Sequence, residues 1–203
     1  MNQQKSYRSS FILLTILFFL WGFITVLVDS LVPRLRELFT LTYAQAILVQ
    51  FAFFGAYFIL SIPASYILSK IGYKKGIILG LLTMAFGCLL FYPAASYRVF
   101  GLFLVAYFIL AGGITILQVA ANPYVAVLGP PETAASRLNL AQGVNSMAKV
   151  IAPVFGGVLI LSGIEVLSKE QQAEAVQMPY VGLAIALFLL ASIFAFITLP
   201  NLR

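Results

Sequence analysis

Two charged side chains stand inside long apolar stretches of the chain. Asp29 is its single aspartate, and Lys149 lies about 17–20 Å from either end of its apolar run at 1.5 Å per residue. A charge at membrane depth must face water, pair with an opposite charge or exchange a proton. We therefore predict that both residues serve ion coupling and approach one another, directly or through water, in at least one transport state. The alternatives are that Asp29 marks a helix end beside Arg34 and Arg36, and that Lys149 reaches a local water defect.

A second group of side chains is uncharged and combines amides with aromatic rings. It comprises Gln118, Asn122, Gln142, Asn145, Trp21 and Tyr57. Amides donate and accept hydrogen bonds without the desolvation cost of a charge, and aromatic rings stack on the apolar face of a sugar. The group predicts a binding site for a neutral polyhydroxylated ligand. The alternative is hydrogen bonding between helices, worth about 0.6–2 kcal/mol per contact.

The sequence lacks the groups of residues that metal binding and enzymatic catalysis require. Histidine is absent and Cys88 is the only cysteine, so we expect no metal site, no cofactor and no enzymatic activity. The formal net charge is +6, but the basic residues sit at the ends of apolar runs rather than in a patch. We therefore do not expect a nucleic-acid partner.

These side chains are positioned by a protein built for a membrane. Of 203 residues, 62% are hydrophobic and 9% are charged, a composition typical of integral membrane proteins. Six apolar runs reach the length of about 20 residues that a bilayer requires. They cover roughly 11–33, 44–69, 76–95, 99–128, 138–162 and 178–199. The sequence predicts an all-α fold with six transmembrane helices.

The six runs contain an internal repeat of three helices. At an offset of ninety residues, Gly22–Leu27 matches Gly112–Leu117, and Pro33 matches Pro123. An odd number of helices makes the second copy enter the membrane from the opposite side, which is how inverted repeats arise. We place the repeats at about 11–95 and 99–199.

The polar residues fall on helices one, two, four and five, and helices three and six carry few. We expect the first set to line a polar space and the second set to support it. More basic residues lie at the end that holds the N-terminus, so the positive-inside rule predicts that both termini are cytoplasmic. Those residues are Lys5, Arg8, Lys70, Lys74, Lys75, Arg137 and Arg203, against Arg34, Arg36, Arg98 and Lys169 at the other end.

Three strings resemble one transporter family. FFLWGFITVLVDSLVPRL, ITILQVAANPYVAVLGP and SRLNLAQGVNSMAKVIAP are similar to the first, fourth and fifth helices of the fucose:proton symporter family of the major facilitator superfamily. The resemblance implies the N-terminal half of a carrier that moves glucose, galactose or fucose across the bacterial cytoplasmic membrane by alternating access. It also implies cation coupling, with a proton favoured over sodium, through Asp29, and a sugar contact at Asn145.

The chain departs from the family pattern at three positions. Gln118 replaces a glutamate, as in the glucose/galactose branch, Lys149 stands where a small or hydroxyl residue is usual, and Ser69 replaces an aspartate. Since complete members have twelve helices, the partners implied are a monosaccharide, the coupling cation, the lipid bilayer and a second six-helix half. That half is either a C-terminal half or another copy. The alternative function is a six-helix membrane subunit or channel without transport activity.

Overall fold

The structure, a computed structural model, describes residues 2–38, 40–157 and 169–197. Within these ranges the chain forms helices and turns and no β-strand, which confirms the predicted all-α class with six long helices. They are α1 Asn2–Leu38, α2 Tyr43–Ile71, α3 Tyr73–Tyr97, α4 Phe100–Val127, α5 Ala134–Phe155 and α6 Lys169–Phe196, with a short 3-10 helix at Pro131–Thr133 before α5.

Four helices, α1, α2, α3 and α6, extend beyond the apolar runs that predicted them. Helix α1 begins at Asn2, nine residues before its run, and α6 begins at Lys169, also nine residues before its run. Backbone hydrogen bonding continues into polar flanks, whereas apolar periodicity reports only the part that packs or meets lipid. The predicted run 138–162 continues past α5 into residues 158–168, which lie outside the described ranges.

Among the described residues, five of the six helices contain spans that are long and apolar enough to cross a membrane. They are Arg8–Ser30, Tyr43–Ile71, Tyr73–Tyr97, Phe100–Val127 and Gln177–Phe196. The described part of α5 is not among them, because it carries Asn139, Gln142, Asn145, Ser146 and Lys149 within 22 residues. The predicted fifth run, 138–162, extends into residues outside the described ranges, so the fifth span stays a prediction.

Helix α3 forms the support of the bundle, packed along both α4 and α6. A Cβ on Gly80 would lie 2.8 Å from the backbone nitrogen of Leu117, and one on Gly113 would lie 2.5 Å from that of Met84. Glycine therefore allows the backbones of α3 and α4 to touch, as small residues do in membrane bundles. This contact holds α4 in place, and α4 carries Gln118 and Asn122, two of the candidate ligand residues.

The remaining contacts follow the order expected of a duplicated unit. Helix α1 packs on α5, and α2 packs on α4. In the predicted repeat, α4 corresponds to α1 and α5 corresponds to α2. The pair of α1 with α5 therefore corresponds to the pair of α4 with α2. The repeat boundaries themselves stay a prediction.

Short connections and caps fix the helix ends. Thr42 and Gln45 form a reciprocal capping box at the start of α2, which satisfies backbone N–H groups that have no partner within the helix. A single residue, Gly72 with φ of 80°, joins α2 to α3. Two positions later, the Lys74 ammonium donates to the carbonyl of Ala195 at 2.9 Å and so ties the start of α3 to the end of α6.

Candidate functional site

Asp29 is held by a tyrosine on another helix. The hydroxyl of Tyr107 on α4 donates to Oδ1 of Asp29 on α1 at 2.7 Å. Tyr107 is only 3% exposed, whereas Asp29 is exposed on the open face of the bundle. The carboxylate therefore has one oxygen fixed by a buried donor and stays accessible to solvent or to a ligand.

The Tyr107 ring is fixed by aromatic neighbours on three helices. Phe103 stacks on it at a centroid distance of 6.1 Å with 8° between the planes, and Phe91 of α3 meets it edge-on at 6.2 Å. The ring of Phe53 on α2 lies 5.2 Å from it, tilted by 35°. Because buried rings in such a cluster have little freedom, the hydroxyl is aimed at Asp29 before any ligand arrives.

The same aromatic contacts lead to the amides. Phe53 lies 5.2 Å from the ring of Tyr57, and the hydroxyl of Tyr57 accepts a hydrogen bond of 3.0 Å from Nε2 of Gln118. Asp29, Tyr107, Phe53, Tyr57 and Gln118 thus form one continuous cluster across α1, α2 and α4, which we call the coupling cluster.

A second polar link lies further along α4. Nε2 of Gln142 on α5 donates to Oδ1 of Asn122 on α4 at 3.0 Å. Asn122 is four residues beyond Gln118, about 6 Å along the helix axis. All three amide side chains are partly exposed. The bundle therefore presents hydrogen-bonding groups from α4 and α5 on the same side as the coupling cluster.

Lys149 lies within electrostatic range of Asp29 without touching it. The lysine is exposed on α5, and its positive charge acts on the Asp29 carboxylate. Their N···O distance exceeds the 4.0 Å of an ion pair in the described part of the chain. The direct approach that the sequence predicts for some transport state is not made in this conformation.

Two predicted ligand residues are turned into the protein. Asn145 is 1% exposed and donates from Nδ2 to the carbonyl of Phe18 at 2.7 Å, so its side chain links α5 to α1. Trp21 is 5% exposed and packs edge-on against Phe18 at 5.4 Å. This placement favours the interhelical alternative for both side chains in the present conformation.

Thr115 belongs to the same group of turned-in residues. Its hydroxyl donates to the carbonyl of Ala111 in its own helix at 2.9 Å, and the side chain is buried. Thr83 and Ser192 form equivalent bonds on α3 and α6. A hydroxyl that is satisfied one turn back needs no ligand.

Tyr107 was not predicted as a site residue from the sequence, whereas Phe53 was expected, like Trp21 and Tyr57, to offer a ring for stacking on a sugar. Tyr107 precedes Gln118 by eleven residues, three turns of an α-helix, so both lie on one face of α4. The face of α4 that carries Gln118 could have been followed back to Tyr107, but a tyrosine in an apolar run is usually interpreted as part of the core. Within residues 2–38, 40–157 and 169–197, no three side chains of metal-binding type come together.

Comparison with known proteins places the chain among membrane carriers. Residues 11–202 match the sequence profile of the Major Facilitator Superfamily. A glucose/galactose transporter of Brucella abortus biovar 1 (strain 9-941) is 55% identical over 202 residues, covering 100% of this chain and 49% of that protein. The L-fucose-proton symporter of Escherichia coli (strain K12) is 44% identical over 217 residues, covering 100% of this chain and 50% of that protein.

The fold agrees with a solved structure of the same kind. A crystal structure of a transporter of this superfamily, FucP, in the outward conformation superposes with a TM-score of 0.87 at 43% identity. The match covers 97% of this chain and 51% of the other. The chain thus spans about half the length of the relatives it matches, and the half it matches is the N-terminal one. The chain belongs to the Major Facilitator Superfamily.

Proposed function

We propose that this chain forms the N-terminal half of a secondary carrier that moves a monosaccharide such as glucose, galactose or fucose by alternating access. Transport is coupled to a cation, with a proton favoured over sodium. The substrate class is supported by the relatives, which are named for glucose, galactose and fucose. The protein works in a bacterial cytoplasmic membrane with both termini on the cytoplasmic side, and a second six-helix half completes it.

One observation carries the coupling proposal, namely the hydrogen bond from Tyr107 to Asp29. An ionised carboxylate in a membrane protein is costly, and a proton from the open face removes that cost. In the ionised state Asp29 accepts from Tyr107 and feels the charge of Lys149. A proton on Asp29 weakens both interactions and frees the contact between α1 and α4 to change.

The sugar is held by the amides on the same face. Gln118, Asn122 and Gln142 are partly exposed. Gln118 is hydrogen-bonded to Tyr57, and Gln142 to Asn122. A sugar hydroxyl would form further hydrogen bonds with these groups or take the place of one partner. Tyr57 and Phe53 supply ring faces for stacking. Asn145 and Trp21 support this surface from behind, through the contact of α5 with α1.

Uptake measurements test the proposal. Cells that express the protein carrying this sequence should accumulate labelled glucose, galactose or fucose against a gradient, and an uncoupler should abolish accumulation. Asp29→Asn should stop accumulation while leaving exchange of sugar across the membrane, since exchange does not require the carboxylate to release its proton. The matched control is Glu132→Gln, an exposed carboxylate outside the cluster.

Three results would contradict parts of this proposal. Uptake driven by a sodium gradient and insensitive to the uncoupler would replace the proton with sodium. Full accumulation by Asp29→Asn would remove the coupling role of Asp29. Absence of uptake for all three sugars would overturn the substrate class and favour the non-transporting membrane subunit.

A further inference from the structure

A cavity of about 510 Å³ opens at the end of the bundle where α1 begins and α4 ends. Two arginines, Arg8 and Arg137, line it together with Val127, Leu128 and Thr133. No acidic side chain among the described residues lines the cavity. It is separate from the coupling cluster, since Gln118, the member of that cluster nearest to it along α4, lies about 14 Å before Val127 at 1.5 Å per residue.

Arg137 is fixed in place without losing its charge. Its guanidinium donates to the carbonyls of Val125 at 3.2 Å, Ala126 at 2.6 Å and Pro130 at 3.0 Å, which caps the end of α4. Carbonyls are dipoles, so these bonds do not neutralise the cation. The nearest acid in sequence, Glu132, makes no ion pair with it in the described part of the chain, so the cavity keeps a net positive charge.

Arg8 differs from Lys70 and Lys74 at the same end of the bundle, which have partners within the protein. Lys74 is bound to a carbonyl of α6, and the ammonium of Lys70 lies 4.3 Å from the ring centre of Tyr66. Arg8 is exposed, lines the cavity and forms no hydrogen bond or ion pair within the described residues. Its guanidinium has donors available for an anion that enters beside Arg137.

The cavity lies beside the ends of two apolar stretches. Arg8 stands three residues before the apolar run of α1, which covers roughly residues 11–33, and Val127 is the last residue of α4. The cavity wall therefore joins two cations to apolar side chains where apolar stretches end, as hydrocarbon gives way to headgroups at a membrane surface. This is the environment of a phospholipid, whose phosphate lies next to its acyl chains.

We infer that the cavity between Arg8 and Arg137 binds the phosphate of an anionic membrane lipid. A guanidinium donates two parallel hydrogen bonds to phosphate oxygens, and the N–H groups of Arg8 are available to donate them. Arg137 supplies a fixed charge, and Val127 and Leu128 contact the lipid chains. The lipid inference does not depend on the proposed sugar binding or on the proposed ion coupling.

Lipid titration in detergent of the complete purified protein that carries this sequence, followed by native mass spectrometry, tests the inference. We expect phosphatidylglycerol to bind at one site, and Arg8→Gln to weaken that affinity about tenfold, the effect of losing a hydrogen bond to a charged group. Lys75→Gln is the matched control, since Lys75 is an exposed cation at the same end that does not line the cavity. It should change the affinity less than about twofold, because general attraction in a micelle is shared among many charges.

Further arms identify the source of the phosphate. Phosphatidylcholine with the same acyl chains should bind more weakly than phosphatidylglycerol, and inorganic phosphate should not compete at millimolar concentration. Effective competition by inorganic phosphate would overturn the lipid assignment in favour of a free anion. Equal losses in Arg8→Gln and Lys75→Gln would overturn the site, since attraction would then be a property of the whole basic end. The Arg8 guanidinium makes no hydrogen bond or ion pair with the described residues, so the Arg8→Gln variant should unfold at the same temperature as the parent without lipid.

Discussion

At the scale of single residues, Tyr107 decides how Asp29 behaves. The carboxylate is accessible on one side, and on the other it accepts from a hydroxyl whose ring is packed against three phenylalanines. A donor that does not move costs no reorganisation when the charge on Asp29 changes. A change at Tyr107 should therefore affect ion coupling with little effect on the fold.

Tyr107→Phe removes the hydroxyl and keeps the ring. We expect coupled uptake to fall roughly tenfold or more, because a hydrogen bond to a charged group is worth about 1.5–3 kcal/mol. The measurement is the initial rate of gradient-driven sugar uptake at constant expression. Tyr92→Phe, a matched change of an exposed tyrosine on α3, should have no effect. Equal rates for both variants would show that the Tyr107 hydroxyl does not contribute.

Asp29 and Lys149 interact through space but do not touch. A double-mutant cycle of Asp29→Asn and Lys149→Met, measured as the free energy of unfolding, should give a coupling of about 0.5–1 kcal/mol. Removing one partner of a contacting, desolvated pair would cost about 3–5 kcal/mol instead. A coupling in that higher range would mean that the two groups meet in the state populated in detergent. Strictly additive losses would leave Lys149 without a role toward Asp29.

At the scale of helices, the sequence predicts the bundle better than it predicts the partners of each polar side chain. Apolar runs locate six helices, and a spacing of three and four residues places the amides on faces. The same spacing cannot tell whether Asn145 meets a ligand or the carbonyl of Phe18, since both lie on the inner side of α5. That outcome depends on how closely α1 approaches, which is set by Gly22 and by tertiary packing.

The crossing of α1 and α5 gives a test of Asn145. Asn145→Ala should lower the free energy of unfolding by about 1–3 kcal/mol, because the buried carbonyl of Phe18 loses the hydrogen bond that the Asn145 amide donates. Sugar affinity should change less than in Gln118→Ala, whose side chain is partly exposed. Thermal unfolding and sugar binding measured on both variants would separate the two roles. A larger loss of affinity in Asn145→Ala, at unchanged stability, would restore it as a direct ligand.

The contact of α3 with α4 gives a second test. Gly113→Ala would place a Cβ 2.5 Å from the backbone nitrogen of Met84, so we expect a loss of about 1–3 kcal/mol from overpacking. Gly101→Ala is the control on the same helix, with nothing within 4 Å of the added Cβ. It should be neutral or stabilising by up to about 1 kcal/mol, since alanine is the better helix former. Similar unfolding temperatures for the two variants would contradict the close approach.

At the scale of the whole molecule, more basic residues lie at one end than at the other, seven against four in the sequence. Arg8, Lys70, Lys74, Lys75 and Arg137 all lie at the end where α1 begins and α4 leads into α5. An excess of basic residues in short loops faces the cytoplasm. This asymmetry supports the proposed orientation and also places the lipid cavity in the inner leaflet, where anionic headgroups attract cations.

Cysteine labelling checks the orientation. Ser69→Cys in the last turn of α2 should be protected from an impermeant reagent in intact cells, and Tyr97→Cys at the end of α3 should react. Both positions are exposed, so protection would reflect sidedness. The native Cys88 is buried and provides an unreactive background. Reaction at Ser69→Cys together with protection of Tyr97→Cys would reverse the topology.

The polar character of α5 has a consequence for how the protein is made. As segments leave the ribosome, the translocon passes them sideways into lipid when they are apolar enough, and a central lysine costs about 2.5–3.5 kcal/mol in that step. Helix α5 carries Lys149 and several amides, so it should not partition into lipid alone. Asn122 on α4 and the Phe18 carbonyl on α1 accept its amide hydrogens. Because α1 and α4 are synthesised before α5, their hydrogen-bond acceptors are already in the membrane when α5 enters it.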